Sequence, residues 1–439
     1  MSEAEPGETS VAIIGAGIIG VTTAIALRRA GFAVCLIEPD EPGGEQAASY
    51  GNAGWFSPAS VVPMSMPGLW RKVPAMLSDP LGPLTIRWSA LPRLLPWLLR
   101  FLYAGATVER VEATARALRP LLEPGPALQT ELAATAGVPE LVRRDGALYA
   151  YPSRADFEAE ALAWRLRRDN GVAWAELEGE ALRQAVPALS PRYAFGVMVG
   201  VTGHCRDPGA YVRALGDYAE RLGATRMRTR ANGFNLQQGR LTAVLTDAGD
   251  VLTDRAVICA GIHAKLLARA AGDSVSLESE RGYHVVLSEP EAVPTMPVQT
   301  SDSRIGTTPV AAGLRGAGQV ELCSLEAPPD WRRAGIVEAH LKRSYPELAD
   351  PLPENRVRRW MGHRPSTPDG LPVIGFASAS ADIVHAYGHG HVGMASAPMT
   401  ARIVRDLLLG TPPACPLAPY SPQRFNGFWP RAAASLEKR

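Results

Sequence analysis

The chain has 439 residues, 46% of them apolar and 20% charged, with a formal net charge of +1. That length exceeds what one small core organises, so two domains are expected, and repeated small α/β pieces suit an interleaved pair. Near-neutral charge offers no long-range pull on polyanions, which argues against a nucleic-acid partner, and no run of 18 apolar residues is present to span a bilayer.

Met1–Thr9 is short, polar and acidic, so no secretory signal is expected there. Val11–Ile14 is a β-branched run suited to a strand buried on both faces. It runs into Gly15-Ala-Gly17-Ile18-Ile19-Gly20. A helical stretch from Val21 to Ala30 follows, then a second apolar strand, Ala33–Ile37, closed by Glu38. Gly15 permits a tight turn, Gly17 lets backbone approach a pyrophosphate, and Gly20 allows close packing of helix on strand. The exposed N–H groups and dipole at the helix start favour phosphates. Glu38, 18 residues after Gly20, is placed to bind the ribose hydroxyls of a dinucleotide. A glycine-rich turn without a ligand leaves Glu38 unexplained. The motif alone does not separate FAD from NAD, but the loop Glu45–Pro58 helps. Its small residues suit backbone laid against a large flat cofactor, whereas a nicotinamide-binding half returns to a helix and a third strand.

Val61–Pro96 is proline-rich, carries Trp70 and Trp88, and reads as a crossing loop with short helices that leads to Trp97. Leu91–Tyr103 is strongly apolar. It suits contact with a bilayer surface or a buried helix of the second domain. The buried helix is favoured, because 13 residues interrupted by proline are poor for spanning or for a long anchor. Val108–Ala136 suits a helix pair broken near Pro120 and Pro124-Gly-Pro126; Gly146–Tyr151 and Gly196–Gly200 suit strands, and Asp156–Asn170 a helix. Asp207 is expected to cap a helix with Pro208 at its first position, running to about Leu222.

A β-meander follows, turning at Gln238-Gly239 and Ala248–Asp250 and ending in Arg255–Gly261. Arg281–Leu287 and Gly318–Cys323 are expected strands of the second domain. Pro372–Gly375, Ile383–Tyr387, a glycine loop and a helix over Met394–Leu409 return to the cofactor. The five cysteines (Cys35, Cys205, Cys259, Cys323, Cys415) are scattered, odd in number and without CxxC spacing. Reduced structural thiols in a cytoplasmic protein are expected, not a disulfide frame or a zinc site.

Four motifs carry a resemblance: VAIIGAGIIG at 11–20, SYGNAGWFSP at 49–58, AVICAGIHA at 256–264, and the paired tail WMGHRPSTPDGLPVIG at 360–375 with YGHGHVGMASAPMTARIV at 387–404. In these the chain resembles the FAD-dependent D-amino acid dehydrogenase and glycine/D-amino acid oxidase family, the DAO fold, from about Val11 to Leu409. The 49–58 loop is most similar to the bacterial D-amino acid dehydrogenases. ERGYH at 280–284 and GLRGAGQVE at 313–321 are similar to the branch that includes hydroxy-D-proline and D-proline dehydrogenases. The resemblance implies an α/β fold in which a Rossmann-like FAD-binding domain (1–60, 204–272, 356–415) is interleaved with an α+β substrate domain (61–203, 273–355). The substrate domain is built on a largely antiparallel sheet, and a tail spans 416–439.

The resemblance also implies non-covalent FAD. Ile18 and Ile19 open the first helix of its site. Ser49, Asn52, Ala53 and Gly54 line the phosphates and flavin edge, and Ala260 and Gly261 lie beside the pyrophosphate. Ala231 stands where the family often has a valine that holds adenine by its backbone. Gly388, Gly390, His391, Val392, Gly393 and Met394 lead into the last helix, whose N–H groups and dipole meet charge developing at flavin N1/C2=O. Arg364 is implied to bind the substrate carboxylate through two parallel charge-assisted hydrogen bonds; a structural ion pair with Asp369 is the alternative.

The implied reaction is oxidative deamination of a D-amino acid, with D-proline and hydroxy-D-proline among the candidates. The Cα hydride goes to flavin N5, the imine hydrolyses to a 2-oxo acid, and electrons pass to a quinone or another acceptor. Tyr283 and His284, on a strand roofing the site, must face opposite ways. His284 is expected to face the substrate, where it could take a proton from the ammonium. His389 and His391 are candidates for hydrogen bonds to flavin or substrate; at i, i+2 without further ligands they make a poor metal set, so no metal is expected. The rivals are an O₂-using glycine- or sarcosine-type amine oxidase and a flavin-bound subunit of a larger dehydrogenase complex. The oligomeric state stays open. The expected location is the cytoplasm, with peripheral contact at the inner face of the plasma membrane as the variant that Leu91–Tyr103 allows.

Overall fold

Around the glycine motif a six-stranded sheet forms, described here from a computed structural model that covers residues 8–79 and 82–427. The strands used below are β1 (Ser10–Ile14), β2 (Ala33–Ile37), β3 (Thr225–Met227), β4 (Arg255–Ile258), β5 (Glu278–Leu287), β6 (Gly313–Leu322), β7 (Val357–Ser366), β8 (Val373–Phe376) and β9 (Ile383–Tyr387). The helices are α1 (Ile18–Arg29), α2 (Leu91–Ala104), α3 (Val108–Leu122), α4 (Gly125–Ala136), α5 (Pro208–Arg221) and α6 (Gly393–Leu409).

The six-stranded sheet runs β3-β2-β1-β4-β9-β8 and is parallel except for its last pair. Val11, Ile13 and Ile14 of β1 are buried, which suits a parallel strand covered on both faces. Each such side chain contributes about 1.5–3 kcal/mol of transfer free energy. Helix α1 starts at Ile18, three residues before the expected Val21, because Gly17 in extended conformation (φ −69°, ψ −178°) already acts as its N-cap. Asp207 caps α5 as expected, accepting from the Ala210 N–H at 3.0 Å.

The meander is made of Ala231–Gln237, Arg240–Thr246 and Gly249–Leu252. β4 is not its fourth strand: it leaves the meander and pairs in parallel with β1 and β9. Its residues Ala256, Val257 and Ile258 are all fully buried, so an apolar run alternates poorly and belongs in the centre of a sheet.

The second large sheet has nine strands and is antiparallel apart from two pairs. β5 lies between β6 and β7, with Glu280 opposite Arg364 and His284 opposite Trp360. β7 therefore belongs to this sheet, although the boundary expected at 356 puts it with the cofactor domain. Helices α3 and α4, expected in the substrate domain, bury their apolar faces in the core that surrounds α1 and α6. Spatial assignment follows packing partners, which linear order does not reveal. α2 departs from the expected buried helix: Leu94 and Trp97 are buried, but Leu95 (48%) and Leu99 (39%) are exposed. Among the described residues no helix is long and apolar enough to cross a membrane.

Candidate active site

Between the two sheets runs a cavity of about 620 Å³, within the ~300–1,000 Å³ usual for cofactor and ligand sites. Its wall includes Gly15, Gly17, Ile18, Ile19 and Glu38 from the β1–α1–β2 unit, with Ser49 and Asn52 from the loop after β2. Ala231, Ala260 and Gly261 line it from the meander and β4, and Gly388, His389, Gly390, Gly393 and Met394 from the loop entering α6. Residues 230 positions and more apart in sequence thus meet in one space.

The three motif glycines have three distinct geometries. Gly15 has φ +106°, and a Cβ there meets the Cys259 carbonyl oxygen at 2.6 Å. A Cβ on Gly20 meets the Gly15 carbonyl oxygen at 1.8 Å, so helix and turn touch at that point. A Cβ on Gly17 meets only Ser49 Oγ, at 3.4 Å, and otherwise projects into open cavity. Ser49 Oγ accepts from the Ile18 N–H at 3.1 Å, while Gly17 offers α1 no side-chain cap, leaving donors at the helix start for an anion. Glu38 accepts from the Ala16 and Asp40 N–H groups at 2.9 and 3.3 Å, yet burial raises its carboxyl above the usual range. The Tyr387 hydroxyl is buried in the cavity wall with no hydrogen-bond partner.

Five of the expected cofactor residues do not line this cavity. Gly20 lies beneath Gly15. The Ala53 carbonyl accepts from Thr308 Oγ1 at 2.8 Å, and Gly54 N–H donates to Asn52 Oδ1 at 2.8 Å. His391 and Val392 border a second, smaller chamber on the far side of the Gly388–Gly390 segment. Asn52 ties the two loops together, since its Nδ2 donates to the His391 carbonyl at 3.3 Å.

Arg364 is partly buried and donates to the carbonyls of Gln319 (3.0 Å) and Gly318 (3.4 Å). It lies across Gly282, whose missing Cβ makes room for the guanidinium: a Cβ there meets Arg364 Nη2 at 2.2 Å. The alternative pairing with Asp369 does not form. Asp369 is held by Arg424, at 2.8 and 3.2 Å, from the C-terminal segment. Among the described residues no carboxylate lies within ion-pairing distance of Arg364. Burial lowers its pKa, and the facing Glu280 carboxylate partly restores it.

Tyr283 and His284 face opposite ways, as alternation requires. The Tyr283 hydroxyl donates to Glu321 at 2.5 Å and accepts from the Asp330 N–H, so it serves the far face of the sheet. His284 shares the face of Arg364, but the expected proton-accepting role does not fit. Its ring stacks on Trp360 (centroids 4.9 Å apart), its Nδ1 stands 3.3 Å from the Gly51 carbonyl oxygen, and burial with Arg315 pushes its pKa down to about 3. His389 bonds Thr400 Oγ1 through Nε2 at 3.0 Å and is pushed by burial to about 3. His391 falls to about 4, from burial and then the Arg364 charge.

Two functional positions escape the sequence reading. Arg315, buried, donates to the Asn52 carbonyl at 2.7 Å and fixes the 49–54 loop. Glu280 faces Arg364. Both sit inside stretches singled out by resemblance; Arg315 is a charge between Leu314 and Gly316, a signal that marks it, whereas Glu280 stands between Ser279 and Arg281 and carries no such signal. All five cysteines are unpaired. Among the described residues no group of three or more His, Cys, Asp or Glu is placed to hold a metal ion.

A family model described as FAD dependent oxidoreductase (DAO) matches residues 10–407. A D-amino-acid oxidase of Bradyrhizobium diazoefficiens is 52% identical over 420 residues, covering 96% of this chain and 100% of that protein. A D-amino acid dehydrogenase of a Methylobacterium strain is 28% identical, covering 95% of this chain and 99% of that one. Among solved structures, the L-amino acid deaminase of Proteus vulgaris superposes with a TM-score of 0.72 at 18% identity, covering 97% of this chain and 99% of its own.

Proposed function

Because the chain belongs to the DAO family of FAD-dependent oxidoreductases, we propose that it oxidatively deaminates D-amino acids, D-proline and hydroxy-D-proline among them. The products are imines that hydrolyse to 2-oxo acids or, for a proline, stay cyclic. Arg364 carries the substrate class. It is a partly buried guanidinium held only by two backbone carbonyls, so it has planar N–H donors left for a carboxylate. The D-configuration rests on the relatives named for D-amino acids.

FAD, when bound, is the acceptor of the Cα hydride. The cavity fits it: donors at the start of α1, the open side of Gly17 and the Glu38 carboxylate all face one space. In this reading Gly15, Gly17, Ile18, Ile19 and Ser49 hold the pyrophosphate, and Glu38 and Ala231 hold the adenosine. Asn52, Gly388, Gly390, Gly393 and Met394 hold the flavin end, with N–H groups at the start of α6 meeting negative charge there. Gly20, Ala53, Gly54, Ala260, Gly261, His391 and Val392 shape this cradle. Arg364 orients the substrate, and the sheets exclude water. The cofactor unit is the six-stranded sheet with its helices, and the substrate unit the nine-stranded sheet, interleaved along the chain.

The electron acceptor in this reading is a quinone, reached at the inner face of the plasma membrane. Its support is the segment 61–106, where Trp70 (62%), Trp88 (71%), Leu95 and Leu99 are exposed and Arg71 lies over the Trp70 ring. Aromatic and aliphatic groups beside cations suit an anionic bilayer surface. Flotation with anionic vesicles checks this, and protein that stays at the bottom of the gradient refutes it. The main test is an anaerobic screen of flavin bleaching by D- and L-amino acids, glycine and sarcosine, followed by air. Bleaching by D-amino acids with slow reoxidation is expected. Bleaching by glycine or sarcosine alone, with rapid peroxide formation, would transfer the assignment to an amine oxidase.

A further inference from the structure

All ten residues of β5 are buried, and five of them carry ionisable side chains. Four are accounted for, among them Tyr283, whose hydroxyl donates to Glu321. Glu278 pairs with Arg93 (2.5 Å) and Lys265 (2.9 Å), Arg281 donates to the carbonyls of Ser324, Leu325, Ala327 and Pro328, and His284 stacks on Trp360. Glu280 is different. Among the described residues no donor reaches its carboxylate in hydrogen-bonding geometry, although it is 7% exposed. A buried carboxylate without donors is costly unless it acts.

Glu280 lines the small chamber of about 30 Å³ that backs onto the Gly388–Gly390 wall of the main cavity. That space holds about two waters, at ~10–15 Å³ each, and is too small for a substrate side chain. Ser65 and Ser366 also line it, and their hydroxyls are buried without a hydrogen-bond partner. Ser366 Oγ stands near the Glu280 carboxylate, but no bond of acceptable geometry forms. An unpaired carboxylate and two orphaned hydroxyls around a water-sized space make a site for a proton acceptor and the water that serves it.

Resting on the amino-acid reading above, we propose that Glu280 accepts the proton that the substrate ammonium must lose before its Cα–H can be oxidised. The step is R–CH(NH₃⁺)–COO⁻ + Glu280–COO⁻ → R–CH(NH₂)–COO⁻ + Glu280–COOH: an N–H bond breaks, an O–H bond forms, and no electron moves. The proton passes to chamber water when product leaves.

The charged and titratable groups around Glu280 leave it as the acceptor. Arg364 faces it from β7. His389 and His391, from the loop before α6, are pushed by burial to about 3 and 4 and make weak bases. Asp369, at the chamber rim, is held by Arg424 and by the Leu371 N–H. α2, α3 and the 62–65 segment contribute Phe101, Ala104, Thr114, Leu118 and Ser65, which carry no charge. Substrate binding itself prepares the step. Arg364 favours the charged form of Glu280 while burial disfavours it. A carboxylate docked on Arg364 cancels that support and strengthens Glu280 as a base. Transfer then neutralises two buried charges at once.

The test uses the FAD-loaded full chain, wild type and Glu280→Gln, in anaerobic flavin reduction by a D-amino acid between pH 6 and 10. Wild type should vary little with pH. E280Q should be slower at pH 7 by about 10²–10³-fold, the range of general-base contributions, and gain about tenfold per pH unit as free amine appears. Butyrate, a carboxylate without an amine, is titrated by its effect on the flavin spectrum, and E280Q should bind it within about threefold of wild type. An unchanged pH profile in E280Q overturns the assignment, and so does loss of butyrate binding, which would make Glu280 a positioning residue for Arg364. Wild-type flavin that no amino acid reduces overturns the functional reading and this step with it. Should E280Q not fold, Glu280→Asp is expected to keep the flat profile at a lower rate, and an alkaline-shifted profile there overturns the assignment.

Discussion

Replacing Gly17 by Ala should separate cofactor binding from folding. The added Cβ meets only Ser49 Oγ, at 3.4 Å, and the backbone there (φ −69°, ψ −178°) is open to any residue. Loss of a glycine N-cap costs the apoprotein about 0.5–1 kcal/mol, which lowers Tm by a few degrees at most. The methyl group instead fills the approach to the α1 N-terminus. If it pushes the pyrophosphate off two charge-assisted donors worth about 1.5–3 kcal/mol each, FAD binding weakens by about 3–6 kcal/mol. That is about 10²–10⁴-fold in Kd at 1.4 kcal/mol per decade. Gly20→Ala is the control with the opposite signature. Its Cβ lies 1.8 Å from the Gly15 carbonyl oxygen, so backbone must move, at a cost of about 3 kcal/mol or more. FAD titration by fluorescence quenching and thermal melting of the apoproteins read the two effects. Gly17→Ala protein that binds FAD with the wild-type Kd would refute the reasoning.

Arg364→Lys should keep bound FAD but raise the substrate Kd at least tenfold, and Arg364→Ala by about 10²–10³-fold, since a point charge or nothing replaces a planar fork; spectral titration with a non-reducible carboxylate checks both. Asp369→Ala should cost about 3 kcal/mol in urea unfolding, because it strands the buried Arg424 charge, yet leave substrate affinity unchanged; a matching loss of affinity would return Asp369 to the Arg364 site. Acidification should lower the Tm of the apoprotein between about pH 6.5 and 4. Burial holds His204, His284, His340, His363, His389 and His391 at about 3–4, below the unfolded 6.5. The unfolded chain therefore binds more protons across that window, and stability falls as pH falls. A Tm that is flat or rising from pH 8 to 5 contradicts it.

Much of this protein is decided within short stretches of sequence. Val11–Glu38 encodes strand, turn, helix, strand and acid without help from elsewhere, because glycine dihedrals and β-branched burial are local properties. The 49–58 loop and the 388–394 turn are legible for the same reason. Chemistry between distant residues is not. Asp369, close to Arg364 in sequence, is held instead by Arg424, 55 positions away from it. His284 looks like a base in sequence, but burial beside Arg315, with its ring stacked on Trp360, makes it a weak one. Glu280 gains its place from the register of β5 on β7, which sets it opposite Arg364 across 84 positions of chain. Register, packing and local dielectric are set only when the whole chain has closed, and those three quantities decide which ionisable groups keep their charge.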